Sequence, residues 1–278
     1  MSRGPAYNGG FRCPIEKFAT MHPQLNIAIK AARRAGNLIQ RAAQDVGHLT
    51  VSKKAHADFV SEVDRAAEQV ILEILGEAYP DHAFLCEESG ASGDSPYCWI
   101  IDPLDGTTNF LHGFPLYSVS IALAHQGIVT QGVVYDPVHN DLFTATRGSG
   151  AFLNERRIRV SGRTRLDESL IGTGFPYSHM THQERYLRMM AEVMGKTAGL
   201  RRPGSAAIDL AYVAAGRYDA FWELDLKPWD IAAGTLLIQE AGGLVSDLDG
   251  EGRFLETGNV VAGSPKIFGQ LLPLLQNA

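Results

Sequence analysis

Cysteine is scarce in this 278-residue chain: Cys13, Cys86 and Cys98 are the whole complement. Three thiols at no zinc or redox spacing exclude a disulfide framework and a thiolate metal centre, and they fit a reducing, cytoplasmic setting. Long apolar runs are also missing. No stretch reaches the roughly 18 residues that span a bilayer, so no membrane association is expected. The first twenty residues, "MSRGPAYNGGFRCPIEKFAT", contain no apolar h-region and read as a flexible extension or tag rather than a secretory signal. Positive charge is in deficit, with 25 Lys and Arg against 31 Asp and Glu and a net charge of −6. That balance gives no overall attraction to nucleic acid or anionic lipid. Repeats, low-complexity tracts and Pro/Ser-rich linkers are absent between Met21 and Ala278, which favours one continuous domain over residues 21–278; the alternative is a boundary near Arg165.

What is present is alternation. Leu25, Ala28, Ile29, Ala32, Gly36 and Ile39 share one helical face, opposite Lys30, Arg33 and Arg34. "SEVDRAAEQVILEIL" predicts a second helix with Ser61 as its N-cap. "HAFLCEE" and "YCWIIDP" read as strands that end in acid, and "YSVSIALAHQGIVTQGVVYDPVHNDLFTATRGSGAFLN" as a meander of hairpins. From Ile171 onward strands and helices alternate to a last helix near Leu275. The fold class expected is a layered α/β arrangement.

Acidic residues concentrate where the strands end. In "WIIDPLDGTTNF" an apolar strand runs into Asp102 and Asp105 around Pro103, which fixes φ and should turn the chain out of the sheet. Two carboxylates so close repel unless a proton or cation lies between them. Gly106, Thr107 and Thr108 follow with backbone and hydroxyl donors suited to phosphate. Each acid also has an ordinary reading: Asp102 as a turn residue, Asp64 as the third position of a capping box after Ser61, Asp230 as a helix N-cap before "IAAGTLLIQEA", and Glu87, Glu88 and Glu223 as solvated strand ends. Spacing alone leaves both readings open.

"DPLDGTTNF", "EES" upstream and "WDIAAG" downstream together resemble the inositol monophosphatase family. "MHPQLNIA", "VYDPVHNDLFTATRG" and "GSAAIDLAYVAAGR" extend the likeness across nearly all of Met21 to Ala278, toward its bacterial extragenic suppressor branch. The resemblance implies an αβαβα sandwich, a homodimer and Mg²⁺-dependent, Li⁺-sensitive hydrolysis of inositol 1-phosphate. It implies that Glu87, Asp102, the Leu104 carbonyl, Asp105 and Asp230 hold two to three Mg²⁺. Glu87, Asp64 and Thr107 would be catalytic, the last two activating water. Asp105, Gly106, Thr107, Thr108, Ser205, Ala206, Glu223 and Asp230 would contact substrate. Sugar or nucleotide phosphates are alternative substrates on the same chemistry. That branch is also associated with RNA polymerase and antitermination (Nus) factors in ribosomal RNA transcription. A candidate partner surface is the basic run Arg156, Arg157, Arg159, Arg163 and Arg165, with Arg201 and Arg202 as a smaller cluster.

Overall fold

The computed structural model describes residues 22–48, 51–55, 58–175 and 182–278. The expected extension, residues 1–20, lies outside them. Two helices open the described part, α1 (Pro23–Ala42) and α2 (Glu62–Ala78), with the hairpin β1 (Val51–Ala55) and β2 (Asp58–Ser61) between them. α1 buries Leu25, Ala28, Ala32, Gly36 and Ile39 of the expected face, with Ala31 and Ala35 beside them, while Ile29 is only partly buried.

An eight-stranded sheet follows: β3 (Ala83–Cys86), β4 (Gly90–Ser92), β5 (Tyr97–Asp105), β6 (Ser118–His125), β7 (Ile128–Asp136), β8 (Asp141–Thr146), β9 (Gly150–Leu153) and β10 (Arg156–Arg157), in the order β10-β9-β8-β7-β6-β5-β3-β4. Strands β6 to β10 form the expected antiparallel meander. β3 and β5 run parallel, so both deliver their C-terminal ends to the same edge of the sheet.

The second half builds a five-stranded sheet from β11 (Leu170–Thr173), β12 (Gly199–Arg201), β13 (Ala220–Glu223), β14 (Leu244–Ser246) and β15 (Val260–Gly263), in the order β12-β11-β13-β15-β14. Its helices are α4 (Gln183–Met194), α5 (Ala206–Ala214), α6 (Pro228–Glu240), the short α7 (Phe254–Thr257) and α8 (Pro265–Gln276), with α3 (Thr107–Leu111) in the first half. The layers run α1/α2, large sheet, α5/α6, small sheet, α4/α8, which is the αβαβα sandwich expected. α6 buries every residue from Ile231 to Ile238, because a helix clamped between two sheets has no solvent face and needs none. Each large apolar side chain so buried contributes about 1.5–3 kcal/mol.

Two local expectations are corrected. The chain does not leave the sheet at Pro103: β5 continues to Asp105, and the register slips from Asp102↔Ser120 to Asp105↔Ser118, placing an extra residue at Pro103–Leu104. This is a β-bulge, one of the few places in a sheet where proline's missing N–H is tolerated. Asp230 is not an N-cap either. α6 begins earlier, at Pro228, and the Asp230 side chain reaches back to accept from the Lys227 amide at 2.6 Å.

Candidate active site

Parallel pairing of β3 with β5 brings the first two acids together. Cys86 sits opposite Ile101, and the Glu87 amide donates to the Ile101 carbonyl at 3.1 Å, so Glu87 and Asp102 emerge as neighbours. α2 secures the turn that carries Glu87: buried Glu68 accepts from the amides of Glu88 (3.0 Å) and Ser89 (2.9 Å). One helical turn earlier Asp64, fully buried, accepts from the Thr107 hydroxyl at 2.8 Å. The Leu104 carbonyl lies 3.0 Å from that same hydroxyl.

The bulge turns Asp102 inward, where Oδ1 accepts from the Leu104 amide at 3.0 Å. Gly106 then takes φ +96°, and a Cβ there would lie 3.2 Å from the carbonyls of Gly204 and Leu116. Only glycine adopts that backbone in so tight a space. Asp105 points across to the second half of the chain, accepting on Oδ2 from the Ser205 hydroxyl (2.5 Å) and the Ala207 amide (2.8 Å). Ser205 caps α5 at the same time.

These carboxyls are electrostatically frustrated. Burial first, then the charges of Glu87, Asp105 and Asp230, raises the Asp102 pKa well above the usual carboxylate range, and the Glu87 carboxyl beside it acts in the same direction. Asp230 is raised by burial, then by Asp105, although the Lys227 amide opposes the shift. Asp105 is pushed up to about 6 by burial, with Ser205 and Ala207 pulling the other way. Among the described residues no three Asp, Glu, His or Cys side chains are gathered into a ready-made ion cage. Asp105 and Asp230 each turn an oxygen toward donors of their own. Several carboxyl oxygens crowded beside a backbone carbonyl nevertheless fit a hard divalent cation, which takes such oxygens by preference.

Next to the acids lies a cavity of about 130 Å³ lined by Asp105, Gly174, Arg202, Gly204, Ser205, Ala206, Asp209, Glu223, Leu226 and Asp230. Glu223 is 9% exposed, and burial raises its pKa to about 8 against the pull of Arg202. Gly174 presses on it so closely that a Cβ there would fall 1.9 Å from Oε1. A larger depression of about 480 Å³, lined by Leu153, Asn154, Arg156 and Ile158, lies at the β9–β10 edge and has no acid among those residues.

The structure therefore draws Asp64, Glu87, Asp102, Leu104, Asp105, Thr107, Ser205, Ala206, Glu223 and Asp230 to one locus. Gly106 adjoins it, while the Thr108 side chain is exposed. Two residues escaped the sequence reading. Asp209, a lone acid inside apolar "AAIDLAYVAA", is 1% exposed and faces the cavity; a charge within an apolar run was the available signal. Arg202, grouped by sequence with Arg201 as surface charge, lines the cavity and lies 5.0 Å over the Phe175 ring. The basic run is exposed, but Arg163 pairs with Asp219 and Arg165 with Asp167 and Glu168, leaving Arg156, Arg157 and Arg159 as its open part.

Residues 20–278 match the model of the inositol monophosphatase family. The chain is 54% identical over 262 residues to the Nus factor SuhB of Pseudomonas aeruginosa, covering 92% of this chain and 97% of that one. It is 52% identical over 250 residues to an inositol-1-monophosphatase of Mesorhizobium japonicum, covering 89% and 94%. The crystal structure of the extragenic suppressor protein SuhB of Bartonella henselae superposes with a TM-score of 0.89 at 48% identity, over 91% of this chain and 98% of that one. Sequence, architecture and the converging acids agree: the chain belongs to the inositol monophosphatase family.

Proposed function

We propose that residues 21–278 act as one unit, a Mg²⁺-dependent phosphomonoesterase that hydrolyses inositol 1-phosphate to inositol and phosphate. The observation that carries this reading is the cluster of mutually repelling carboxyls around Asp102 beside a polar cavity bearing Glu223. Glu87, Asp102, the Leu104 carbonyl, Asp105 and Asp230 would hold two Mg²⁺, with a third near Glu87. Bound there, the cations would offset the phosphate's charge, acidify water and stabilise the leaving oxygen.

The chain's own groups do the rest. The Thr107 hydroxyl already donates to Asp64, so a water donating to the Thr107 oxygen would pass its proton toward that buried carboxylate. Glu87 helps to orient this water. The first amides of α3 have no intrahelical acceptor and, with the Gly106 amide, steady the phosphate. Asp105, Ser205, Ala206, Glu223 and Asp230 receive the alcohol half. Buried acceptors left unpaired by a ligand without hydroxyls would select against it.

The test is phosphate release from inositol 1-phosphate with Mg²⁺ and with EDTA, beside fructose 1,6-bisphosphate, histidinol phosphate and a 3′-phosphoadenosine nucleotide. Preference for the nucleotide would overturn the substrate; no release from any ester would overturn the phosphatase.

A second reading, a binding role in transcription as a homodimer with RNA polymerase and Nus factors, is favoured by relatives named Nus factor and by exposed Arg156, Arg157 and Arg159. No described helix is long and apolar enough to cross a membrane. Complementation by Asp102→Asn separates the two readings: restored growth by the inactive protein assigns the physiological role to binding.

A further inference from the structure

Asp209 is the fourth residue of α5, 1% exposed, and its Oδ1 has no hydrogen-bond partner although the side chain lines the cavity. An unpartnered carboxyl oxygen that deep costs stability unless a ligand or a water supplies the missing donor. Its surroundings narrow that choice. Glu223 and Asp105 repel it and Arg202 attracts it. Ser205, one turn earlier on the same helix, is already committed to Asp105. Glu223 and Asp209 thus approach the cavity from different elements, β13 and α5, as a pair of acceptors. Neighbouring hydroxyls on one ring present donors in pairs, whereas a simple aryl or alkyl phosphate offers none.

We infer that Asp209 is a further specificity-determining residue, which accepts a hydrogen bond from a second hydroxyl of a polyol whose first hydroxyl is held by Glu223. The inference rests on the phosphatase reading and adds a second acceptor that holds the polyol half of the substrate. Aspartate at this position binds the polyol and leaves the phosphate chemistry untouched.

The experiment compares the full chain with Asp209→Leu and Asp209→Asn in saturating Mg²⁺, using inositol 1-phosphate and p-nitrophenyl phosphate. Asp209→Leu is expected to lose about 10–100-fold in kcat/KM for inositol 1-phosphate, through KM, because it removes the acceptor and leaves a buried substrate hydroxyl unsatisfied. Asp209→Asn keeps an acceptor oxygen and should lose less than about tenfold. Turnover of p-nitrophenyl phosphate stays within about twofold in both, and free inositol inhibits that turnover more weakly in each variant. Equal losses on both esters, or unchanged selectivity in both variants, overturn the assignment. Should Asp209→Leu fail to fold, the inositol inhibition constant of Asp209→Asn decides: a rise of about threefold or more supports the role, and no change ends it. Failure of the unaltered chain to hydrolyse either ester would instead overturn the phosphatase reading.

Discussion

The Thr107 hydroxyl stands 2.8 Å from Oδ1 of Asp64, across 43 residues of sequence, and joins the start of α3 to the buried face of α2. A hydroxyl so placed is polarised before any substrate arrives. Replacing Thr107 with Ala should lower kcat about 10²–10⁴-fold, the usual range for a positioned proton-transfer group, with KM little changed. Thr107→Ser should keep most of the activity. Steady-state kinetics with equilibrium Mg²⁺ titration checks this, because a loss explained wholly by weaker Mg²⁺ binding would assign Thr107 to the metal site instead.

Asp102→Asn removes one charge from the centre of the cluster. It should abolish turnover, by at least about a hundredfold in kcat/KM, while raising the melting temperature of the EDTA-treated protein. Lower stability in EDTA would mean that Asp102 is held by favourable contacts rather than against repulsion.

The raised carboxyls predict an uncommon dependence on pH. Asp105 at about 6 and Glu223 at about 8 lie above their ordinary values of 3.8 and 4.5, and Asp102, Asp209 and Asp230 are shifted the same way. Between those limits the folded chain holds more protons than the unfolded one, so its stability falls as pH rises. Melts in EDTA should drop steadily from pH 5 to 8, and saturating Mg²⁺ should flatten the curve. A melting temperature that climbs with pH in EDTA contradicts the cluster.

Glu68 is expected to influence metal affinity through the turn that carries Glu87. Its two oxygens hold the amides of Glu88 and Ser89, so Glu68→Gln, with one acceptor fewer, should loosen the turn that presents Glu87. The Mg²⁺ needed for half-maximal binding should rise about 10–100-fold, as for other groups that orient ligands. Calorimetry reads this directly, and unchanged affinity would leave Glu68 with a purely structural role.

Local pattern was enough for much of the molecule. The stripe of α1, the acid-ended strands β3 and β5, the meander from Ser118 to Leu153 and the apolar run of α6 all follow from spacings within about ten residues, the range over which periodicity acts. β4, β12, β15 and α3 were not legible: each spans three to five residues, too few to establish a period, and none carries the trailing acids that marked the equally short β3. Pro103 misled for a related reason: proline forbids a ladder bond but not a bulge, and only the pairing partner β6 decides between turn and bulge.

By itself the sequence determined the inventory: which acids exist, that Asp102 and Asp105 must lie near each other, and that a layered α/β fold of this family would carry them. Tertiary structure alone decided that Asp105 meets Ser205 100 residues away, that Arg202 turns inward, and that Asp209 faces a cavity instead of a core. Those outcomes depend on how two sheets close around α5 and α6, and burial, which shifts the charges that matter here, is a property of that closure rather than of any residue's neighbours along the chain.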